Sequence, residues 1–194
     1  MAGAGPDEIA ARDSAGAMIA PTPIPHELEA DVLALNNAHA EELSLLDAKK
    51  LASRLAAAFY ACRIGSVDGL LLAFDESAAY DSPNYLWFRD RYSRFVYVDR
   101  VVVAPVMRRR GLARLLYADV FRQATDAGHD VVVCEVNLDP PNPGSDAFHA
   151  ALGFTEVGRA TIADGRKTVR YLRCAIASGP AFRPIDVRPR PPRR

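Results

Sequence analysis

The sequence has no long apolar run, no net charge and little cysteine, and each deficit removes a class of function. Its uninterrupted apolar stretches fall short of the roughly 18 residues that suggest a membrane span. The Ala/Gly-rich start carries Asp7, Glu8 and Asp13 in place of a basic segment followed by an apolar one, so no membrane association or export is expected and the protein is read as cytoplasmic. Lys and Arg together number 24, as do Asp and Glu, which leaves no overall field to attract nucleic acid or an anionic bilayer. Cys62, Cys134 and Cys174 are odd in number, far apart and set in apolar stretches without a C-x-x-C, which reads as buried, reduced thiols. His26, His39, His129 and His149 lack ligand spacing, so no metal is expected. No internal repeat with a period of about 20–50 residues is visible.

What remains is a chain of 194 residues, 49% hydrophobic, enough for one sizeable core. Residues 1–16 show no periodicity, and the stretch from 179 onward packs five prolines and five arginines into sixteen residues. Flexible segments are therefore expected over 1–16 and 177–194, flanking one domain over 17–176. Within the domain, 17–22 reads as a short strand, and the following Leu28, Val32, Leu33 and Leu35 as the apolar stripe of a helix. A second helix is expected near 45–58, capped by Asp47. Two β-rich runs at 59–65 and 69–76 form a hairpin, and 77–94 is an aromatic, partly helical connection interrupted by Pro83. A strand over 95–103, a helix, a strand over 130–137, a short helix and a closing hairpin around Asp164 and Gly165 complete a mixed α/β domain.

The informative junction is RRRGLARLL at 108–116. A valine-rich strand runs through Pro105 into a helix whose first turn is expected near 108–111, where several backbone N–H groups have no intrahelical partner. Such a terminus suits an anion, above all a phosphate. Gly111 and Ala113 let a large ligand approach the backbone, and Arg108, Arg109 and Arg110 add charge from the edge. Three cations at a helix start oppose its dipole unless an anion joins them. Neither G-x-x-x-x-G-K-[ST] nor G-x-G-x-x-G is present.

The stretch VVVAPVMRRRGLARLLYADV resembles the acetyl-coenzyme A signature of the GNAT superfamily of N-acetyltransferases, with Arg108, Gly111 and Ala113 filling [RQ]-x-x-G-x-[GA]. A second stretch, NPGSDAFHAALGF, is similar to the family's N-x-x-[AS]-x-x-[LF]-Y-x-x-x-G-F through Asn142, Ser145, Phe148, Gly153 and Phe154. The resemblance implies a GNAT fold: a mixed central sheet of six to seven strands flanked by about four helices, with the fourth and fifth strands, VYVDRVVV and VVVCEVN, splayed to admit a thioester. It implies acetyl-CoA as co-substrate. The backbone of Val101, Val102 and Val103 would pair with the pantetheine arm, Arg108, Arg109, Arg110, Gly111, Leu112, Ala113 and Arg114 would hold the pyrophosphate, and Asn142 and Ser145 would line its far side.

The implied reaction moves an acetyl group to a primary amine by direct attack on the thioester. An amine with a pKa of about 10.4 must first lose a proton, which a carboxylate can accept. Asp99 and Glu135, on facing strands, are the candidates, with an ion pair to Arg100 or another neighbour as the alternative for each. The family's usual tyrosine acid is replaced by His149, which is read either as a proton donor for the departing thiolate or as a polar packing residue. Asn36, Asn37 and His39, with Asp75, Tyr80, Asp81, Asn84 and Trp87, fall where the superfamily walls the acceptor, and Tyr97 shares the face of Asp99. The acceptor is a small-molecule amine or a protein amino group, and a homodimer is compatible with the family. A GNAT-fold module that binds coenzyme A without catalysis, as a sensor or partner-binding subunit, is the second reading.

Overall fold

A computed structural model describes residues 11–12, 18–162 and 165–176. The segments expected to be flexible, apart from 11–12, lie outside those residues, as does Asp164 in the closing turn. Proline decides the first departure from expectation. Pro21 supplies no N–H for a ladder, and the single strand expected over 17–22 is divided between two sheets. Met18–Ile19 (β2) pairs with Ala11–Arg12 (β1), whereas Thr22–Pro23 (β3) pairs with Tyr60–Ile64 (β4) at the edge of the main sheet.

That main sheet adds Gly69–Asp75 (β5), Val96–Val103 (β6), Val131–Asp139 (β7), Thr155–Ile162 (β8) and Lys167–Ala175 (β9). Its seven strands run in the order β3-β4-β5-β6-β7-β9-β8, and only the β6–β7 pair is parallel. The expected 45–58 helix is Ala48–Ala57 (α3), and the Asp47 side chain accepts from the Lys50 amide at 2.7 Å, as its capping role requires. The first expected helix is a short 3-10 turn followed by Glu29–Asn37 (α1) and Ala40–Leu43 (α2). Of its anticipated stripe only Val32 is fully buried, and Asn36, one turn further on, is buried with it. Pro83 starts the next helix, Pro83–Arg89 (α4), at a position where its missing N–H costs nothing. Leu112–Asp126 (α5) and Pro143–Ala151 (α6) bring the described α-helices to six, two more than the four expected.

Helices cover both faces of the sheet. Leu112, Leu115, Leu116 and Val120, spaced to share one face of α5, pack with Val96, Val98, Val132 and Cys134 under α5 and α6. The opposite face packs Leu72, Phe74, Tyr97, Val133 and Tyr171 against α4, and Leu70 and Val102 against α1 and α3. Cys62, Cys134 and Cys174 are buried free thiols in the first of these cores.

Candidate active site

The site begins where β6 and β7 part. Their ladder holds at Val96↔Val132, Tyr97↔Val133 and Val98↔Cys134 and goes no further, although β6 continues to Val103 and β7 to Asp139. The next residues are Asp99 and Glu135, so two carboxylates stand at the fork. On its other side β6 pairs Val98 with Ala73 and Arg100 with Leu72, which leaves Asp99 as the extra residue of a β-bulge. A bulge bends its strand and puts neighbouring side chains on one face. Here it brings Arg100 beside Asp99, with Nε donating to Oδ2 at 2.6 Å, and opens the far half of β6 away from β7.

Asp99 is heavily partnered. Tyr80 donates its hydroxyl to Oδ1 at 2.7 Å, and Arg54 approaches Oδ2 at 3.6 Å. Burial raises the Asp99 carboxyl from its ordinary value, and Arg54 and the Tyr80 hydrogen bond pull it back. Glu135 is different. Its Oε1 accepts from Asn84 Nδ2 at 2.9 Å, while Oε2 is buried without a hydrogen-bond partner among the described residues. Burial, and then the charge of Asp99, push the Glu135 carboxyl up to about 7; Tyr97 and Asn84 oppose the rise. The Tyr97 hydroxyl is itself buried without a hydrogen-bond partner among the described residues. A carboxylate poised near neutrality with one oxygen free is suited to accept a proton.

The expected acceptor residues divide. Asn36 and Asn37 are spent on the corner between α1 and α3: Asn37 exchanges hydrogen bonds with the Leu46 backbone at 2.9 Å, and Asn36 donates to Asn37 and to the Ser44 carbonyl. Asn36 reaches the fork only through Arg100, whose guanidinium donates to Asn36 Oδ1. Tyr80 touches Asp99 directly, and Trp87 stacks on Tyr171 at 4.2 Å. Asp81 is exposed.

The helix start expected to receive an anion is set slightly later in the chain. Pro105–Met107 forms a 3-10 turn, Arg109 sits at φ 61°, and Gly111 at φ 82° is the N-cap of α5. Arg108, Arg109 and Arg110 therefore precede the helix, whose first turn begins at Leu112. Leu115 N–H is the first to bond back, to the Gly111 carbonyl at 3.1 Å, which leaves the amides of Leu112, Ala113 and Arg114 without intrahelical acceptors. The Leu112 side chain lies in the core, so only its backbone can serve. Arg108 folds back over β6, its Nε 3.3 Å from the Val103 carbonyl and its guanidinium 3.3 Å from His39 Nδ1. The Asn142 side chain caps α6 by accepting from the Ser145 amide at 3.1 Å.

His149 lies on the α5–α6 face, opposite the carboxylates, and is 3% exposed. Its Nδ1 is 2.8 Å from the Ser145 carbonyl, which calls for a proton there, and Nε2 then accepts from the Tyr117 hydroxyl at 2.7 Å. Burial lowers its pKa, so the neutral ring is favoured. The Tyr117–His149 pair could not be read from sequence, because the partners are 32 residues apart on different helices.

Among the described residues no group of three His, Cys, Asp or Glu could hold a metal, and no helix is long and apolar enough to cross a membrane. Residues 71–154 match the Acetyltransferase (GNAT) family. The chain is 31% identical over 122 residues to an aminoglycoside N(6')-acetyltransferase type 1 of Salmonella typhimurium, covering 62% of this chain and 78% of that relative. Its fold resembles that of NAA60 from Arabidopsis thaliana in complex with acetyl-CoA, with a TM-score of 0.64, 14% identity and coverage of 82% of this chain and 99% of that one. It also resembles yncA of Salmonella typhimurium with its cofactor acetyl-CoA, at a TM-score of 0.60, 19% identity and coverage of 81% and 94%. The family match spans the fork, the start of α5 and α6 together, and with the 31% identical relative it establishes that the chain belongs to the GNAT family of acetyltransferases.

Proposed function

We propose that the protein transfers an acetyl group from acetyl-CoA to a primary amine, with Glu135 as the base that takes the amine proton. The observation that carries this reading is the Glu135 carboxyl at the fork, one residue past the end of the β6–β7 ladder, with Oε1 tied to Asn84 and Oε2 without a hydrogen-bond partner among the described residues. Acetyl-CoA supplies a thioester when bound. Glu135 takes a proton from the ammonium, the freed nitrogen attacks the thioester carbon, the carbon–sulfur bond breaks, and the second proton of that nitrogen passes through water to the departing thiolate. An amide on the open edge of β6 steadies the developing oxyanion.

The anion cradle at the start of α5 fits the coenzyme in three ways. Leu112, Ala113 and Arg114 present amides to a pyrophosphate, Gly111 gives the turn its left-handed conformation, and Arg108, Arg109 and Arg110 supply charge at its edge. Val101, Val102 and Val103 offer the unpaired edge of β6 to the pantetheine arm, with Arg108 released from the Val103 carbonyl on binding. Asn142 and Ser145 line the coenzyme from α6. Asp99, bonded to Tyr80 and paired with Arg54 and Arg100, supports the charge balance of the fork, and Tyr80, Asp81, Trp87 and Tyr97 form the acceptor side. Similarity to an aminoglycoside N(6')-acetyltransferase supports a small polyamine-like acceptor over a protein amino group.

A second reading, coenzyme binding without transfer, draws on His149, whose two nitrogens are engaged by Ser145 and Tyr117 where the family's tyrosine would stand. Free-thiol release from acetyl-CoA across aminoglycosides, polyamines and peptides, beside calorimetry of the coenzyme alone, separates the two. Release with an aminoglycoside supports transfer; tight binding without release from any amine favours the second reading.

A further inference from the structure

A buried chain of three side chains lies behind the fork. Glu135 on β7 and Tyr171 on β9 are directly paired across strands, so both side chains leave the same face of the sheet. Asn84, in the first turn of α4 and 8% exposed, bridges them: the Tyr171 hydroxyl donates to Asn84 Oδ1 at 3.1 Å, and Asn84 Nδ2 donates to Glu135 Oε1 at 2.9 Å. The order matters because a free amide can turn either way. The charged carboxylate only accepts, which puts Nδ2 on its side, and the Tyr171 hydroxyl, free to donate, then holds Oδ1 on the other. Tyr171 is held in turn by α4, with Trp87 stacked on its ring at 4.2 Å and 23° and Phe88 edge-on at 5.2 Å. Gly158, paired with Tyr171 on β8, makes room for that indole: a Cβ there would come within 2.5 Å of Trp87 Cζ2.

We infer that Asn84 is the positioning residue of the Glu135 base, held in place by the Tyr171 hydroxyl so that Oε1 is tied down and Oε2 is presented to the incoming amine. This deepens the proposed reading of Glu135 and rests on it for its catalytic meaning, while the geometry of the chain stands on its own. It also moves Asn84 from the acceptor wall to the base, and gives Trp87 a task as the clamp of Tyr171. The groups facing Glu135 are Tyr97 and Asp99 from β6, Tyr171 from β9 and Asn84 from α4, with Arg54 and Arg100 behind Asp99 and Tyr117 acting from the opposite face.

The test uses the full chain with 13C-labelled glutamate, the Glu135 carboxyl resonance being assigned by its loss in Glu135→Gln. A hydrogen bond to the charged form favours that form. Asn84→Leu, close in volume but without the donor, is expected to move the Glu135 titration upward by about one pH unit. Tyr171→Phe keeps the stacked ring and therefore the fold, and is expected to give a smaller upward shift. The acid limb of acetyl transfer to an aminoglycoside with a primary 6'-amine is expected to follow the titration in both variants. An unmoved Glu135 titration in Asn84→Leu and Tyr171→Phe overturns the positioning role, even if Glu135→Gln is inactive. A titration that moves while the acid limb stays in place upholds the positioning geometry and overturns Glu135 as the base.

Discussion

Replacing Glu135 with glutamine should cost activity and add stability, and the size of the second effect follows from the site. Glutamine keeps the shape and an oxygen that can accept from Asn84 Nδ2, so the substitution removes the charge and little else. The Glu135 carboxyl rises from 4.5 to about 7, chiefly because burial disfavours its charged form. Between those values the folded protein holds one proton more than the unfolded chain, and stability falls as pH rises. The penalty is absent below about pH 4.5 and complete above about pH 7. At about 1.36 kcal/mol for each pH unit, it reaches roughly 3 kcal/mol. Glu135→Gln should therefore be more stable than the native protein by about 3 kcal/mol at pH 8, a rise in Tm of roughly 6–12 °C for a chain of this size. At pH 4.5 the two should be nearly equal. Denaturant unfolding at both pH values measures this directly. Equal stability of the two proteins at pH 8 would refute the argument that Glu135 is a charge held in an unfavourable place.

Two other substitutions address the remaining parts of the site. Gly111→Asp places a carboxylate at the mouth of α5 and should weaken acetyl-CoA binding by at least about tenfold in calorimetry, whereas Gly111→Asn, which tolerates φ 82° and carries no charge but still puts a side chain where the coenzyme approaches, should bind more weakly than the native protein and more tightly than Gly111→Asp. His149→Phe leaves the Tyr117 hydroxyl buried without its acceptor and should destabilise the protein by about 1–3 kcal/mol in denaturant unfolding, with coenzyme affinity nearly unchanged.

How much of this was legible in the sequence depended on the range of the interaction involved. The α5 stripe of Leu112, Leu115, Leu116 and Val120 was legible because a helix presents every third or fourth residue to one face. The Asp47 cap is equally local. Pro21 was visible, but not its consequence, because which sheet receives each half of a broken strand is decided by distant partners. The two carboxylates were found because they lie on strands expected to face one another. Their difference in character was not: Asp99 acquires Arg54 and Tyr80 from far along the chain, while the hydrogen bond to the Glu135 side chain comes from the Asn84 amide among the described residues. Asn36 and Asn37 were expected on the acceptor side because they fall where the superfamily walls the acceptor, yet their side chains close the α1–α3 corner through the Ser44 and Leu46 backbone. The Tyr171–Asn84–Glu135 chain joins residues 51 and 87 positions apart, which no local pattern reveals.

The pH dependence of kcat/KM for acetyl transfer, measured for the native protein and for Glu135→Gln with the same amine, bears most directly on the central claim. If Glu135 is the base, the native rate loses about tenfold per pH unit below an inflection near 7, and the variant is slower by about 100-fold or more at neutrality with that inflection gone. Matching profiles with the same inflection would show that the proton goes elsewhere and would contradict the account.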